Sequence, residues 1–119
     1  MAPFRRLIVE RQGDVTLVRF QDRKIVGEAE IQEIGRELYQ LVDQEKGLRL
    51  LLDFEDVQFL SSAALGKLIS LDRRVRAADG ILKLCSIRPE IHEVFALTHL
   101  TQLFDIYDDR SQALAAFSK

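Results

Sequence analysis

Apolar and polar residues along this chain fall into short strand-like runs separated by longer stretches of helical spacing. Leu7–Glu10 and Val15–Phe20 read as two strands. The segment Gln12-Gly13-Asp14 between them, three residues with a central glycine, suits a hairpin connection. From near Glu28, Ile31, Ile34, Leu38, Leu41 and Val42 recur at helical intervals, and Gly47 stands where a terminating glycine belongs. Lys24-Ile25-Val26-Gly27, ahead of that helix, reads equally as strand or turn. Leu48–Phe54 is almost continuously apolar, the pattern of a strand buried on both faces at the centre of a parallel sheet.

A second helix is expected from the serine pair Ser61-Ser62 to about Ala78. Leu65, Leu68, Ile69, Leu71 and Val75 form its apolar stripe, and Lys67, Arg73, Arg74 and Arg76 its wet side. Gly80 releases the chain into a strand over Ile81–Ile87. Pro89 suits the first turn of a third helix, where its missing donor costs nothing, with Ile91, Val94 and Phe95 as the buried face. Leu103–Tyr107 reads as a last strand. Asp109–Phe117 reads as a closing helix, with Asp109 and Gln112 at capping-box spacing. The order β-β-α-β-α-β-α-β-α predicts an α/β fold: a mixed, mostly parallel sheet with helices packed on it and one antiparallel hairpin. Without repeat, linker or low-complexity segment, residues 1–119 read as one domain.

Composition narrows the function classes. Apolar and charged fractions of 47% and 30% are those of a globular protein, not a disordered chain. A net charge of −2 without a basic block gives no electrostatic footprint for nucleic acid. No run approaches the roughly 20 apolar residues that span a bilayer, and the apolar run in MAPFRRLIVERQGD is too short for a secretory signal. The single cysteine, Cys85, excludes an internal disulfide, reads as a small core residue, and agrees with a reducing cytoplasm.

Catalytic machinery is not visible. His92 and His99 lack the spacing and the neighbouring cysteine of a metal site, so no metal or cofactor is expected. Asp53 lies at the end of a strand and Glu55 and Asp56 just after it, where many magnesium-dependent phosphotransfer sites begin, and Asp22 is the one candidate to meet Asp53. Glu55 and Asp56 read better as solvated turn residues. The strand-to-helix turn Phe59-Leu60-Ser61-Ser62-Ala63 lacks the glycines of a nucleophile elbow, and only Gly66 is present for a phosphate-cradling loop.

The serine turn holds the remaining chemistry. A hydroxyl at a helix start caps unpaired backbone N–H groups, and that helix end also favours an added anion. Phosphorylation there adds about −1.5 to −2 charge, which the helix N-terminus favours and Asp53, Glu55 and Asp56 oppose. Loss of partner docking is the natural output of such a modification.

Leu51-Leu52-Asp53-Phe54, followed by Val57-x-Phe59-Leu60-Ser61-Ser62-Ala63-Ala64-Leu65-Gly66, resembles the signature of STAS domains, specifically bacterial anti-sigma factor antagonists. The likeness extends over nearly the whole chain in element order and length. It implies a non-enzymatic cytoplasmic regulator of transcription that binds an anti-sigma factor with serine kinase activity. Phosphorylation by that kinase ends binding, and a separate phosphatase resets this partner switch. By the same likeness the acceptor is Ser62, with Ser61 as alternate acceptor or cap. The partner surface takes in Asp22, Ser61, Ser62, Ala63, Ala64 and Lys67. Many members read Asp-Ser-Ser-Gly-Leu-Gly where this chain has Ser-Ser-Ala-Ala-Leu-Gly, and Ala64 in place of glycine narrows a partner's approach. The alternatives are a non-switching STAS scaffold in a stress-signalling or transporter-associated complex and, from another class, a small phosphotransfer enzyme using Asp53. A monomer or weak dimer through an exposed sheet edge is expected.

Overall fold

Five strands in the order β1-β2-β4-β6-β7 make the main sheet: β1 (Leu7–Gln12), β2 (Val15–Phe20), β4 (Arg49–Asp53), β6 (Ile81–Cys85) and β7 (Asp105–Tyr107). β1 runs antiparallel to β2, and every later neighbour is parallel. Helices α1 (Glu28–Gln44), α2 (Ser62–Ala77) and α3 (Pro89–Leu97) link successive parallel strands, and α4 (Arg110–Phe117) closes the chain. β3 (Lys24–Ile25) and β5 (Phe59–Leu60) pair in parallel as a separate two-stranded ladder. This is a computed structural model that describes residues 4–118; the first three residues of the N-terminal segment, and Lys119, lie outside the described residues. The α/β class with a mixed, mostly parallel sheet is thus as expected.

Burial follows from strand alternation. Leu50 and Leu52 on β4 face a core built with Val18, Leu84, Leu38 and Leu68, while Leu51 faces a second, smaller core of Val15, Leu17, Cys85, Ala113 and Phe117. All three β4 leucines are fully buried, which explains the unbroken apolar run. The larger core lies under α1, α2 and α3, and the smaller one under α4. Every β-α-β step moves one strand in the same direction across the sheet, so the strand order contains no reversal. The crevice that such reversals open for ligands in doubly wound folds is therefore absent from this sheet.

Several expectations need correction. The hairpin turn has two residues, since Gln12 pairs with Val15, and Gly13 takes φ 63° at its first position as a primed turn requires. β6 stops at Cys85 instead of Ile87, because Ser86 enters the left-handed region at φ 61°. Leu103 lies outside β7, at the end of a 3-10 turn over Leu100–Gln102. Val94 is 40% exposed, so only Ile91 and Phe95 form the buried face of α3. Gly80 has a steric reason to be glycine: a Cβ there would stand 2.5 Å from the Leu48 carbonyl oxygen.

One buried carboxylate fastens the start of the sheet to α1. Glu37 accepts hydrogen bonds from the backbone N–H groups of Arg5 (2.9 Å), Arg6 (3.0 Å) and Leu7 (3.2 Å). These donors precede or open an edge strand and have no ladder partner of their own on that side. Replacing Glu37 by Ala strands three donors, and we expect a loss of about 2–4 kcal/mol in urea unfolding. Glu37→Gln, which keeps one acceptor oxygen, should fall between wild type and Ala. A loss in Glu37→Ala indistinguishable from zero would show that water substitutes for the carboxylate.

Candidate functional site

The serine turn is positioned by backbone, before any side chain takes part. After β4 the chain turns through Val57, which is fully buried. It then lies along the segment that follows β2. Gln58 N donates to Arg23 O (2.7 Å), Phe59 N to the same oxygen (3.2 Å) and Ser61 N to Ile25 O (3.1 Å). Two loops at the carboxyl end of the sheet are thereby zipped together, and Ser61 is held extended (φ −78°, ψ 166°) at the threshold of α2.

The two serines divide the work. Ser61 Oγ accepts from Ala64 N (3.2 Å) and Ser61 O from Leu65 N (3.1 Å), so Ser61 is the helix cap. Ser62 is the first helical residue, is exposed, and has no side-chain hydrogen bond among the described residues. Ala63 is exposed beside it, whereas Ala64 is 4% exposed and packs in the larger core. The methyl of Ala64 therefore turns away from any partner, which removes it from the candidate surface. Lys67 does not stand free in solvent. Its stem lies against Gly35 of α1, and its ammonium sits 5.7 Å from the Tyr39 ring centroid. Arg74 covers the same ring at 4.1 Å.

Asp22 lies next to Arg23, in the segment zipped to the serine turn. Its carboxylate is already engaged: Arg6 Nη1 donates to it at 3.0 Å while Arg6 Nε donates to Glu33 at 2.7 Å. The Arg6 hydrogen bond holds Glu33 below the ordinary carboxylate range, and Glu33 in return raises Arg6. Asp22 is thus brought near the site as one member of an ion cluster.

Asp53 answers differently from the magnesium reading. Alternation along β4 points its side chain to the face covered by α4, away from α2 and the serines. It is 1% exposed and accepts from Arg110 Nε (2.9 Å), Arg110 Nη2 (2.8 Å) and Glu55 N (3.0 Å). A carboxylate with three charge-assisted or backbone donors ties α4 to the sheet and has little capacity left for a cation. Asp22 does not meet it. Among the described residues no group of three potential metal ligands occurs. Glu55 and Asp56 are exposed, as expected, and lie within 4.0 Å of Arg110 and 3.4 Å of Arg19 respectively. The acidic turn is therefore matched by cations on the α4 side. Cys85, next to this pair, is fully buried, and desolvation together with the Asp53 charge pushes its thiol up to about 11. His92 and His99 are both exposed.

The surroundings of Phe59 are not apparent from the sequence. This ring is 54% exposed, carries the Lys24 ammonium 5.5 Å from its centroid, and lines a cavity of about 270 Å³ between the serine turn and α3. The available signal was Phe59 alone, an aromatic residue in the turn between two elements, whereas Val94 fits a helical stripe by spacing and gave none.

Comparison with known proteins agrees with this fold. A family model for the STAS domain matches residues 6–113. BtrV of Bordetella bronchiseptica, assigned as an anti-sigma factor antagonist, is 30% identical over 93 residues, covering 78% of this chain and 79% of its own. Among solved structures, an anti-sigma factor antagonist (STAS) domain protein from Planctomyces limnophilus superposes with a TM-score of 0.86 at 24% identity, over 95% of this chain and 98% of its own. The phosphorylated form of the Bacillus cell fate determinant SpoIIAA shares the fold with a TM-score of 0.68 at 16% identity, over 95% of this chain and 99% of its own.

Two measurements test the roles assigned here. Ser61→Ala should destabilise the protein by about 1 kcal/mol through loss of the cap, whereas Ser62→Ala should leave the thermal midpoint unchanged; equal effects would contradict the division. The lowered Glu33 carboxyl contributes stability that is present above its ordinary value of 4.5 and lost as pH falls through its folded value. Arg6→Gln should therefore flatten the acid limb of the stability curve below about pH 4.5, read by denaturant melts across pH.

Proposed function

The chain belongs to the STAS domain family, and from that premise we propose that it is an anti-sigma factor antagonist switched by phosphorylation of Ser62. Unmodified, it binds an anti-sigma factor that also acts as a serine kinase. Transfer of phosphate to Ser62 ends binding, and a separate phosphatase restores it. The kinship with BtrV supports the antagonist role. The observation that carries the switch is the contrast between a capping Ser61 and an exposed Ser62 whose hydroxyl is uncommitted among the described residues.

Physical chemistry supports a switch that acts at the surface and spares the fold. A phosphate on the first helical residue meets unpaired N–H groups and the positive end of the helix dipole. Of the three carboxylates expected to repel it, Asp53 is spent on Arg110, and Glu55 and Asp56 lie near Arg110 and Arg19. The helix start then tolerates the dianion, while any surface docked over Ser62 and Ala63 must desolvate it at several kcal/mol. The chain itself needs no catalytic group for this role. Its best catalytic candidate, Asp53, serves as a structural tie.

Incubation with the cognate kinase and ATP should add one phosphate, located on Ser62 by tandem mass spectrometry. Ser62→Ala should bind the unmodified partner as wild type does and accept no phosphate. Ser62→Asp should bind at least about tenfold more weakly in calorimetry, a loss of roughly 1.4 kcal/mol. Modification at Ser61 alone, or a Ser62→Asp affinity equal to wild type, would overturn the assignment.

A further inference from the structure

Ser62, Ala63 and Gly66 present little side-chain area, yet a stable protein interface covers about 800 Å² on each partner and is dominated by a few buried anchors. The anchor must come from nearby. Leu60 and Leu65 flank the serines in sequence, and both line the cavity of about 270 Å³ together with Phe59, Ile91 and Val94. A footprint centred on Ser62 therefore extends over this cavity.

Three further observations define what the cavity takes. Its volume stands at the small end of ligand pockets and is enough for one bulky side chain. Of the five exposed large hydrophobics among the described residues, Phe59 and Val94 line it, and two more lie close to these in the chain or helix, Val26 next to β3 and Leu97 one turn beyond Val94 on α3. Exposed apolar side chains grouped around a cavity in this way point to a docking site. The cavity's charged lining is Arg88 and Glu90; Arg88 is exposed and has no ion-pair partner among the described residues, which leaves its guanidinium free for a partner's carboxylate, and Lys24 stands over Phe59.

We propose that this cavity is the anchor pocket for the anti-sigma factor, receiving one large apolar side chain of that partner flanked by a carboxylate that pairs with Arg88. The assignment rests on the antagonist reading above. It places the affinity of the complex at Phe59 and Val94 and leaves to Ser62 the control of that affinity.

The test uses the full chain and each purified anti-sigma factor of the host genome in calorimetric titrations. Val94→Glu, Phe59→Ser and Arg88→Glu alter exposed positions and should melt as wild type does. Each should weaken binding by about tenfold or more. Affinities within about twofold of wild type for Val94→Glu and Phe59→Ser, with Ser62→Asp still impaired, would overturn the pocket and leave the Ser62 switch standing. Weakened pocket variants beside an unimpaired Ser62→Asp would support the pocket and overturn the switch. Failure of every anti-sigma factor to bind wild type would overturn both. Self-association in sedimentation that Val94→Glu abolishes, without an effect on anti-sigma binding, would reassign the surface to a second copy. Saturable octanoate binding with the same lack of effect would reassign it to a small apolar ligand.

Discussion

The burial of β4 on both faces is the constraint from which the rest of this structure follows. Leu50, Leu51 and Leu52 have no exposed surface, so one layer of helices must cover Leu50 and Leu52 and another element must cover Leu51. The first duty falls to α1, α2 and α3, whose order in the chain keeps them on one side. The second falls to α4, eight residues long and burying only Ala113 and Phe117. So short a helix needs more than apolar contact. Arg110 clamps its start to Asp53, and Arg49 donates to the Phe117 carbonyl at its end while stacking on the Phe117 ring. The residue most suggestive of chemistry in the strand thus proves to be a fastening for the helix that completes the core.

This use of Asp53 sorts charge across the molecule. Alternation sends the carboxylate and the acidic turn after it toward Arg110 and Arg19, on the α4 face. The serine side carries Lys24, Arg88 and the lysine that rests on Tyr39, together with Glu90 and with Asp22, whose charge is paired with Arg6. A short backbone ladder between Lys24–Ile25 and Phe59–Leu60 then holds the serine turn in place without spending either hydroxyl. Surface chemistry at α2 is consequently insulated from what holds the sheet together.

The parts legible in the sequence were those with a repeating physical cause. The apolar run of β4, the helical spacing of Ile31, Ile34, Leu38 and Leu41, and the cap position of Asp109 each arise from local geometry, and each is found in the structure. Two-residue strands have no period to detect, so β3 and β5 emerge only from their mutual backbone bonds. Val94 fits a helical stripe by spacing, but α3 is short and packs through Ile91 and Phe95 alone. The role of Asp53 depends on Arg110, 57 residues away, which no local pattern announces. The serine pair was recognisable as a unit. Which serine caps and which is exposed required the backbone path.

The one-way march of strands also separates the molecule into two ends with different freedoms. The Gly13-Asp14 turn, Gly47 and Asp79 gather where β2, β4 and β6 begin, and the serine turn lies beyond where β4 ends. A five-residue strand places about 17 Å between those ends. Additional sequence grafted into the hairpin turn would project away from α2, and exposed turns of this kind accept insertions readily. The fold therefore offers a tethering end at which larger assemblies can be attached while the end that carries the serine turn stays open.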